Sequence, residues 1–339
     1  MKALAITSQG DPVAPNAEFI DVPDVEPAAD EVRVRTEASA LNHLDLWVGR
    51  GLPGIDTRYP HIGGSDGCGV IDAVGEGVDS DWIGTRVVVN AAMERPQQGK
   101  PAGRDIVMFG EHTNGTHAEY FCPPATNVMA VHDADPVQAA AFGLSHLTAW
   151  RMMVTKGLLQ RGDHVLITGI GGGTALAALN IALHFDCMTV VTSRHQGKID
   201  RALALGADHA VLDTGEGIAR AVRSCTDNRG VDVCVDSVGG PLHHECIKSL
   251  ARGGRLVLCG CTAGANPPTD LARLFWNQQS IHGSTMGDMS EFSSSMALLT
   301  NDGVQPVIDT VFPACDGAAA LSRLEAGTQF GKLVLDWLA

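Results

Sequence analysis

From His164 onward, short apolar runs alternate with helix-like stretches, and the first run ends in a cluster of glycines. The runs are HVLITG (His164–Gly169), MTVVTS (Met188–Ser193), HAVLD (His209–Asp213), VDVCVDSV (Val231–Val238), RLVLCG (Arg255–Gly260) and SIHGSTMG (Ser280–Gly287). Strands apolar on both faces must be covered on both sides, and the helices between them supply the cover. The pattern therefore predicts a parallel, doubly wound α/β sheet. Strand HVLITG feeds GIGGGTA (Gly169–Ala175) and then the helix ALAALNIALHF (Ala175–Phe185). Glycines at such a turn let the backbone approach a pyrophosphate, while the free N–H groups and dipole of the helix start add positive potential. Thr174 takes the sixth place of G-x-G-x-x-G, and Gly169-x-x-Gly172-x-x-Ala175 fits better. Gly169, Gly171, Gly172, Gly173 and Thr174 are the expected phosphate-binding residues, a tight βα turn without ligand being the plainer reading.

The end of the second strand decides which dinucleotide is expected. An NAD site carries an acid there for the ribose hydroxyls, whereas this chain reads TSRHQGK. Ser193, Arg194 and Lys198 would meet a 2′-phosphate with one hydroxyl and two cations, so NADP(H) is the expected cofactor. A solvated basic loop is the competing reading. Val238 and Gly239, Cys259 and Gly260, and Thr285 and Met286 follow the fourth, fifth and sixth strands, where an open α/β sheet holds its ligand. They are expected to line the nicotinamide.

The first third is β-rich, with EVRVRTEA (Glu31–Ala38), GCGVIDAVGEGV (Gly67–Val78) and GTRVVVNA (Gly84–Ala91) punctuated by Gly and Pro. Helical spacing begins near Asp135 in PVQAAAFGLSHLTAWRMMVTKG, and a strand near Val304–Val311 and the closing GKLVLDWL break the later rhythm. The expected division is 1–146, 147–287 and a return of 288–339 to the first domain. A net charge of −15 without a basic run leaves no electrostatic footprint for nucleic acid or an anionic membrane. No apolar stretch approaches the ~20 residues of a membrane span. Nine scattered cysteines suit a reducing compartment, and MKALAIT turns polar without the core of a signal peptide, so a cytoplasmic location is expected.

Taken together, ALNHLDLWVGRG, YPHIGGSDGCGVIDAVGEGV, NGTHAEYF, LTAWRMMV, GIGGGTA, RALALGADHAV, GVDVCVDSVGG, ARGGRLVLCG and FGKLVLD resemble the medium-chain dehydrogenase/reductases along essentially the whole chain. The resemblance implies a GroES-like β-barrel catalytic domain, a Rossmann cofactor domain and a C-terminal return. Zinc enzymes of this superfamily use a Cys, a His and a third Cys or acid at positions matching Asn42, Ser65 and Leu144 here. An amide, a hydroxyl and an isobutyl group cannot replace them. The structural zinc lobe would fall in Met93–Gly115, which has no cysteine, so no metal is expected at either place. A replacement set from Asp66, His43, His61, His117 or His146 is the remaining route to one.

Without a Lewis acid, substrates that delocalise the incoming charge are favoured. The chain most resembles the zinc-free quinone-oxidoreductase-like branch, which implies hydride transfer from NADPH to a quinone, an enone or another small activated carbonyl. Candidate residues beside the reaction are Asn42, to orient ribose or substrate oxygen, and Asp45, to fix that segment. Ser65 and His43 are candidates to donate hydrogen bonds or relay a proton. Asp45 and Asp66 read equally well as caps of turns in the barrel. The resemblance also places Thr148 at the nicotinamide and brings Lys332 to the cofactor from the other domain; a plain helix residue and a surface lysine are the alternatives. It implies a homodimer joined at the sixth strand, an edge otherwise open to association. Two other readings stand beside this one: a zinc-type alcohol or aldehyde dehydrogenase with atypical ligands, and an NADPH-binding protein without turnover.

Overall fold

The computed structural model describes residues 1–52, 54–96 and 104–339. They form two compact units, Met1–Leu144 with Asp288–Ala339, and Ser145–Gly287. Part of the Met93–Gly115 segment lies outside the described residues.

The first unit carries strands β1 (Lys2–Ile6), β2 (Ala17–Asp21), β3 (Val32–Ala40), β4 (His61–Ile62), β5 (Asp66–Val74), β6 (Arg86–Val89), β7 (Ala92–Pro96), β8 (Arg104–Met108), β9 (Tyr120–Phe121) and β10 (Val128–Ala130). Its principal sheet runs β10-β6-β5-β3 and is completed by the two late strands described below, with β9 also on β3. Strand β3 shows why it is central. Val32 and Val34 point inward between Arg33 and Arg35, and from Thr36 to Ala40 every residue is buried because partners flank both edges. Helix α1 (His43–Arg50) follows directly, started by Asp45 Oδ2 accepting the Asn42 N–H at 2.7 Å.

The second unit begins within helix α2 (Pro136–Trp150), whose expected continuation to Lys156 widens into a π-helical turn over Arg151–Lys156. The Gly157 N–H there reaches back five residues to Met152 O at 2.8 Å. Strands β11 (His164–Ile167), β12 (Met188–Ser193), β13 (His209–Leu212), β14 (Val231–Asp236), β15 (Leu250–Leu258) and β16 (Ser280–Gly283) are all parallel, in the order β13-β12-β11-β14-β15-β16. Between them lie α3 (Gly173–His184), α4 (Gln196–Ala204), α5 (Ile218–Ser224), α6 (Leu242–Ser249) and α7 (Leu271–Asn277). Leu166, Val190, Cys234 and Leu256 of the sheet pack with Val222 and Ile247 of the helices in one core. The order reverses between β11 and β14, which opens a crevice at the carboxyl ends of the strands.

The remaining elements, α8 (Met289–Thr300), β17 (Ile308–Pro313), α9 (Gly317–Glu325) and β18 (Lys332–Asp336), belong to the first unit. The strand expected from Val304 starts four residues later because Val304 N–H still closes α8 on Leu298 O, at 2.9 Å. Strand β18 lies between β3 and β17, and its Leu333 and Leu335 join Leu4, Leu41, Leu46, Leu321 and Leu324 in the unit's core.

Candidate active site

The amino ends of α1 and β5 and the start of β18 bring Asn42, Asp66 and Lys332 together. The Lys332 ammonium donates to Asn42 Oδ1 at 2.7 Å and to Asp66 Oδ2 at 2.9 Å. Asn42 Nδ2 donates to the same carboxylate oxygen at 2.9 Å and to Ala40 O at 3.4 Å, and the second carboxylate oxygen accepts the Leu144 N–H at 2.6 Å. The lysine and aspartate side chains are only 4% and 0% exposed, so the pair is internal. The reading of Lys332 as a surface lysine is thereby corrected. A charged pair so deep is tolerated when partners satisfy its donors and acceptors, and here the three side chains close on one another.

Asp45 anchors the neighbouring segment. Its Oδ1 accepts the Gly64 N–H at 2.8 Å and lies 3.5 Å from His117 Nε2. His117 Nδ1 is 2.9 Å from Ser39 Oγ, which accepts from Trp337 Nε1 at 2.9 Å. With the Ser39 hydroxyl donating to Nδ1, the imidazole proton falls on Nε2, which faces Asp45 at 3.5 Å without completing a hydrogen bond. Ser39, His117 and Asp45 have the composition of a nucleophilic triad, but all three are buried and no substrate can meet the serine. Burial alone would raise the Asp45 pKa. The His117 interaction and the amides of Asn42 and Gly64 more than offset it and hold the carboxyl below its usual range.

The other nominated residues of this unit divide clearly. Ser65 is buried and spends its proton on Phe109 O at 2.7 Å. His61 turns its Nε2 to Gly110 O at 3.0 Å. His43, the first residue of α1, is exposed, with its ring edge-on to Trp47. Its pKa lies below the ordinary imidazole value because surrounding chain desolvates the ring, although it meets solvent, and Arg50 adds a like charge.

In the second unit the nominated cofactor residues gather at the carboxyl ends of the strands. Gly169 and Gly171 have φ of 62° and 121°, which glycine adopts without strain, and Gly172 is the N-cap of α3. A Cβ on Gly171 would meet Lys198 Cδ at 2.8 Å, so the lysine stem lies across the glycine loop, whereas a Cβ on Gly172 would meet nothing within 4 Å. Gly173 and Thr174 open α3. That open, glycine-lined helix start fits a dinucleotide phosphate. Ser193 ends β12 with its hydroxyl oxygen accepting the His195 N–H at 3.1 Å, and Arg194 beside it is exposed. Val238 and Gly239 are held by Asp236, whose Oδ1 accepts the Val238 N–H at 2.9 Å. Cys259 and Gly260 follow β15; burial, then the Asp236 charge, pushes the Cys259 thiol up to about 12, so it stays protonated. Thr285 and Met286 follow β16, Met286 is buried with φ 49°, and its sulfur lies 4.0 Å from Thr148 Oγ1. Asp236 and Ser39 were not singled out from the sequence, and His117 was named there only as a candidate metal ligand, not as the partner of Ser39 and Asp45. An acid closing the apolar run VDVCVD was a readable sign for the first, but His117 meets Ser39 across 78 positions and had no local sign.

A zinc ion does not fit these residues. Among the described residues no group of three or more His, Cys, Asp or Glu is placed to hold a metal ion, and the oxygens of Asn42 and Asp66 already face an ammonium.

The fold and the crevice define a two-domain oxidoreductase that takes a nicotinamide dinucleotide. Family profiles agree: the alcohol dehydrogenase GroES-like domain matches residues 28–133 and the zinc-binding dehydrogenase profile residues 173–313. A crystal structure of an NAD-dependent alcohol dehydrogenase is 36% identical, with a TM-score of 0.90 and 99% of each chain covered. A mycobacterial quinone oxidoreductase structure is 26% identical, with a TM-score of 0.82 over 99% of each chain. A zinc-type alcohol dehydrogenase-like protein of Leptosphaeria maculans is 28% identical over 332 residues, 91% of each chain. The chain belongs to the medium-chain dehydrogenase/reductase superfamily.

Proposed function

We propose that this protein is an NADPH-dependent reductase of quinones or α,β-unsaturated carbonyls that works without a metal, in the manner of the quinone-oxidoreductase-like branch. The observation that carries the reading is the engagement of Asn42 and Asp66 by Lys332, with no group of three or more His, Cys, Asp or Glu placed to hold a metal ion among the described residues. A substrate must then accommodate the incoming charge itself, as conjugated carbonyls and quinones do. Similarity to the mycobacterial quinone oxidoreductase supports it.

When bound, the nicotinamide supplies the hydride. Asp236 holds the loop through Val238 and Gly239, and Thr148 and Met286 pack together at the end of β16. Asn42, Asp45 and Ser65 are internally bonded: the Asn42 amide and the Ser65 hydroxyl donate to Asp66 and to Phe109 O, and Asp45 accepts the Asn42 N–H. His43 is the exposed titratable group left to relay a proton, with solvent as the alternative source. Ser193, Arg194 and Lys198 are the proposed 2′-phosphate residues. Arg194→Asp is expected to weaken NADPH by roughly 1.5–3 kcal/mol through loss of a charge-assisted contact, with NADH nearly unaffected. Titration with both cofactors checks this, and equal losses count against NADPH.

A screen of NADPH oxidation with ortho-quinones, alkenals, enoyl thioesters and aldehydes, with and without chelator, tests the function. Turnover of conjugated acceptors that survives the chelator supports it. Binding of NADPH without oxidation across the screen points to a protein without turnover. The second reading, alcohol oxidation, is favoured by the 36% identity to an NAD-dependent alcohol dehydrogenase; NAD-linked, chelator-sensitive turnover of alcohols would establish it. A homodimer belongs to the same proposal. Strand β16 ends its sheet, and α7, shortly before it, exposes Leu271, Phe275 and Trp276 at 70%, 73% and 72%. All nine cysteines are free and no described helix is long and apolar enough to cross a membrane, which accords with the cytoplasmic location proposed.

A further inference from the structure

We propose that Lys332 is the resident cation of the first unit's polar cluster: its ammonium takes the oxygens of Asn42 and Asp66 in place of a metal ion and fixes the Asn42 amide. This goes beyond the reading of substrate and holds whichever acceptor is reduced.

The bonding pattern leads to it. Asp66 is wholly buried and has two oxygens to satisfy; the Leu144 N–H serves one, and Asn42 Nδ2 and Lys332 Nζ share the other. The backbone and the amide carry no net charge, so the lysine is the group that neutralises the carboxylate. The same ammonium is the bonded partner of Asn42 Oδ1. It therefore decides the amide's orientation, because the opposite rotamer would turn the NH2 group toward a cation. Asn42 is in turn the residue immediately before α1, where the exposed His43 is the first helical position. Lys332 is thus a positioning residue, acting through Asn42 on the start of that helix. Its separation from Asn42 by 290 positions explains why the two look unrelated in the sequence. A divalent ion would have to displace an ammonium already bonded to both oxygens, which is the physical reason that the cluster does not fit zinc.

The test uses the full-length chain with Lys332→Ala, which removes three carbons and the ammonium. The melting temperature and the Asn42 side-chain amide resonances, assigned by their loss in Asn42→Asp, are followed with added n-propylammonium, 1-propanol or tetramethylammonium. The expected result is a lower melting temperature and displaced Asn42 resonances in the variant. Propylammonium restores at least half of each loss and leaves the wild type unmoved, and the other two additives restore neither. Equal rescue by propanol would mean that the stem's packing matters and not its charge, and would overturn the proposal, as would rescue by none of the three. If Lys332→Ala does not fold, Lys332→Arg and Lys332→Gln replace it: Arg is expected to keep the Asn42 resonances in place and Gln to shift them, and equal behaviour overturns the proposal. A zinc ion retained by the wild type in competition with a chromogenic chelator, and lost in Asp66→Asn, would overturn it as well.

Discussion

Asp45 shows what a single side chain contributes here and how that contribution can be measured. Its carboxylate accepts from two backbone amides and faces His117, and these interactions outweigh its desolvation. A carboxyl whose pKa is lower folded than unfolded adds stability that is complete above the unfolded value, about 3.9. That stability disappears as pH falls through the lower folded value. Asp45→Asn is therefore expected to be less stable than the wild type by a constant margin from about pH 5 to 7, and the margin narrows below about pH 4. Urea unfolding across that range reads it directly; a margin that widens on acidification would refute the assignment. At this scale the sequence was partly legible. Asp45 in NHLD already suggested a carboxylate fixing its own segment, because the partner Asn42 is three residues away. The identity of Asn42's own partners was not legible, since Asp66 and Lys332 come from two other strands.

Among the elements, the turn from β11 into α3 binds sequence to function most closely. Gly171 sits at φ 121°, and a side chain there would both strain the backbone and press on the Lys198 stem. Gly171→Ala is expected to cost about 1–3 kcal/mol of local strain and to raise the Kd for NADPH several-fold. Isothermal titration beside thermal unfolding separates the two effects, and unchanged cofactor affinity would detach this glycine from the phosphate site. Strands β11 to β16 were readable from their apolar runs because both faces are covered, which makes the local composition itself the signal, except that β15 begins at Leu250, five residues before the run that announced it. The π-helical turn at Arg151–Lys156 was not, since its letters continue the helical pattern and only the Met152 carbonyl reached by Gly157 reveals the change of pitch.

For the molecule as a whole, the decisive fact is that the last 52 residues complete the first unit rather than extend the second. Strand β18 supplies one of the partners of β3, two core leucines and the Lys332 ammonium. A chain ending at Gly287 is expected to lose amide protection over β3 and β5 while β11 to β16 keep theirs. Hydrogen exchange read by mass spectrometry checks this, and full protection of β3 in the shortened chain would refute it. By itself the sequence determined the doubly wound unit, the glycine turn and the basic end of β12, because each depends on neighbours within a few residues and on composition that burial dictates. Tertiary structure alone decided which polar side chains meet. A buried charge is stabilised only by partners at hydrogen-bond distance, and in this fold those partners are supplied by segments as far apart as Asn42, Asp66 and Lys332.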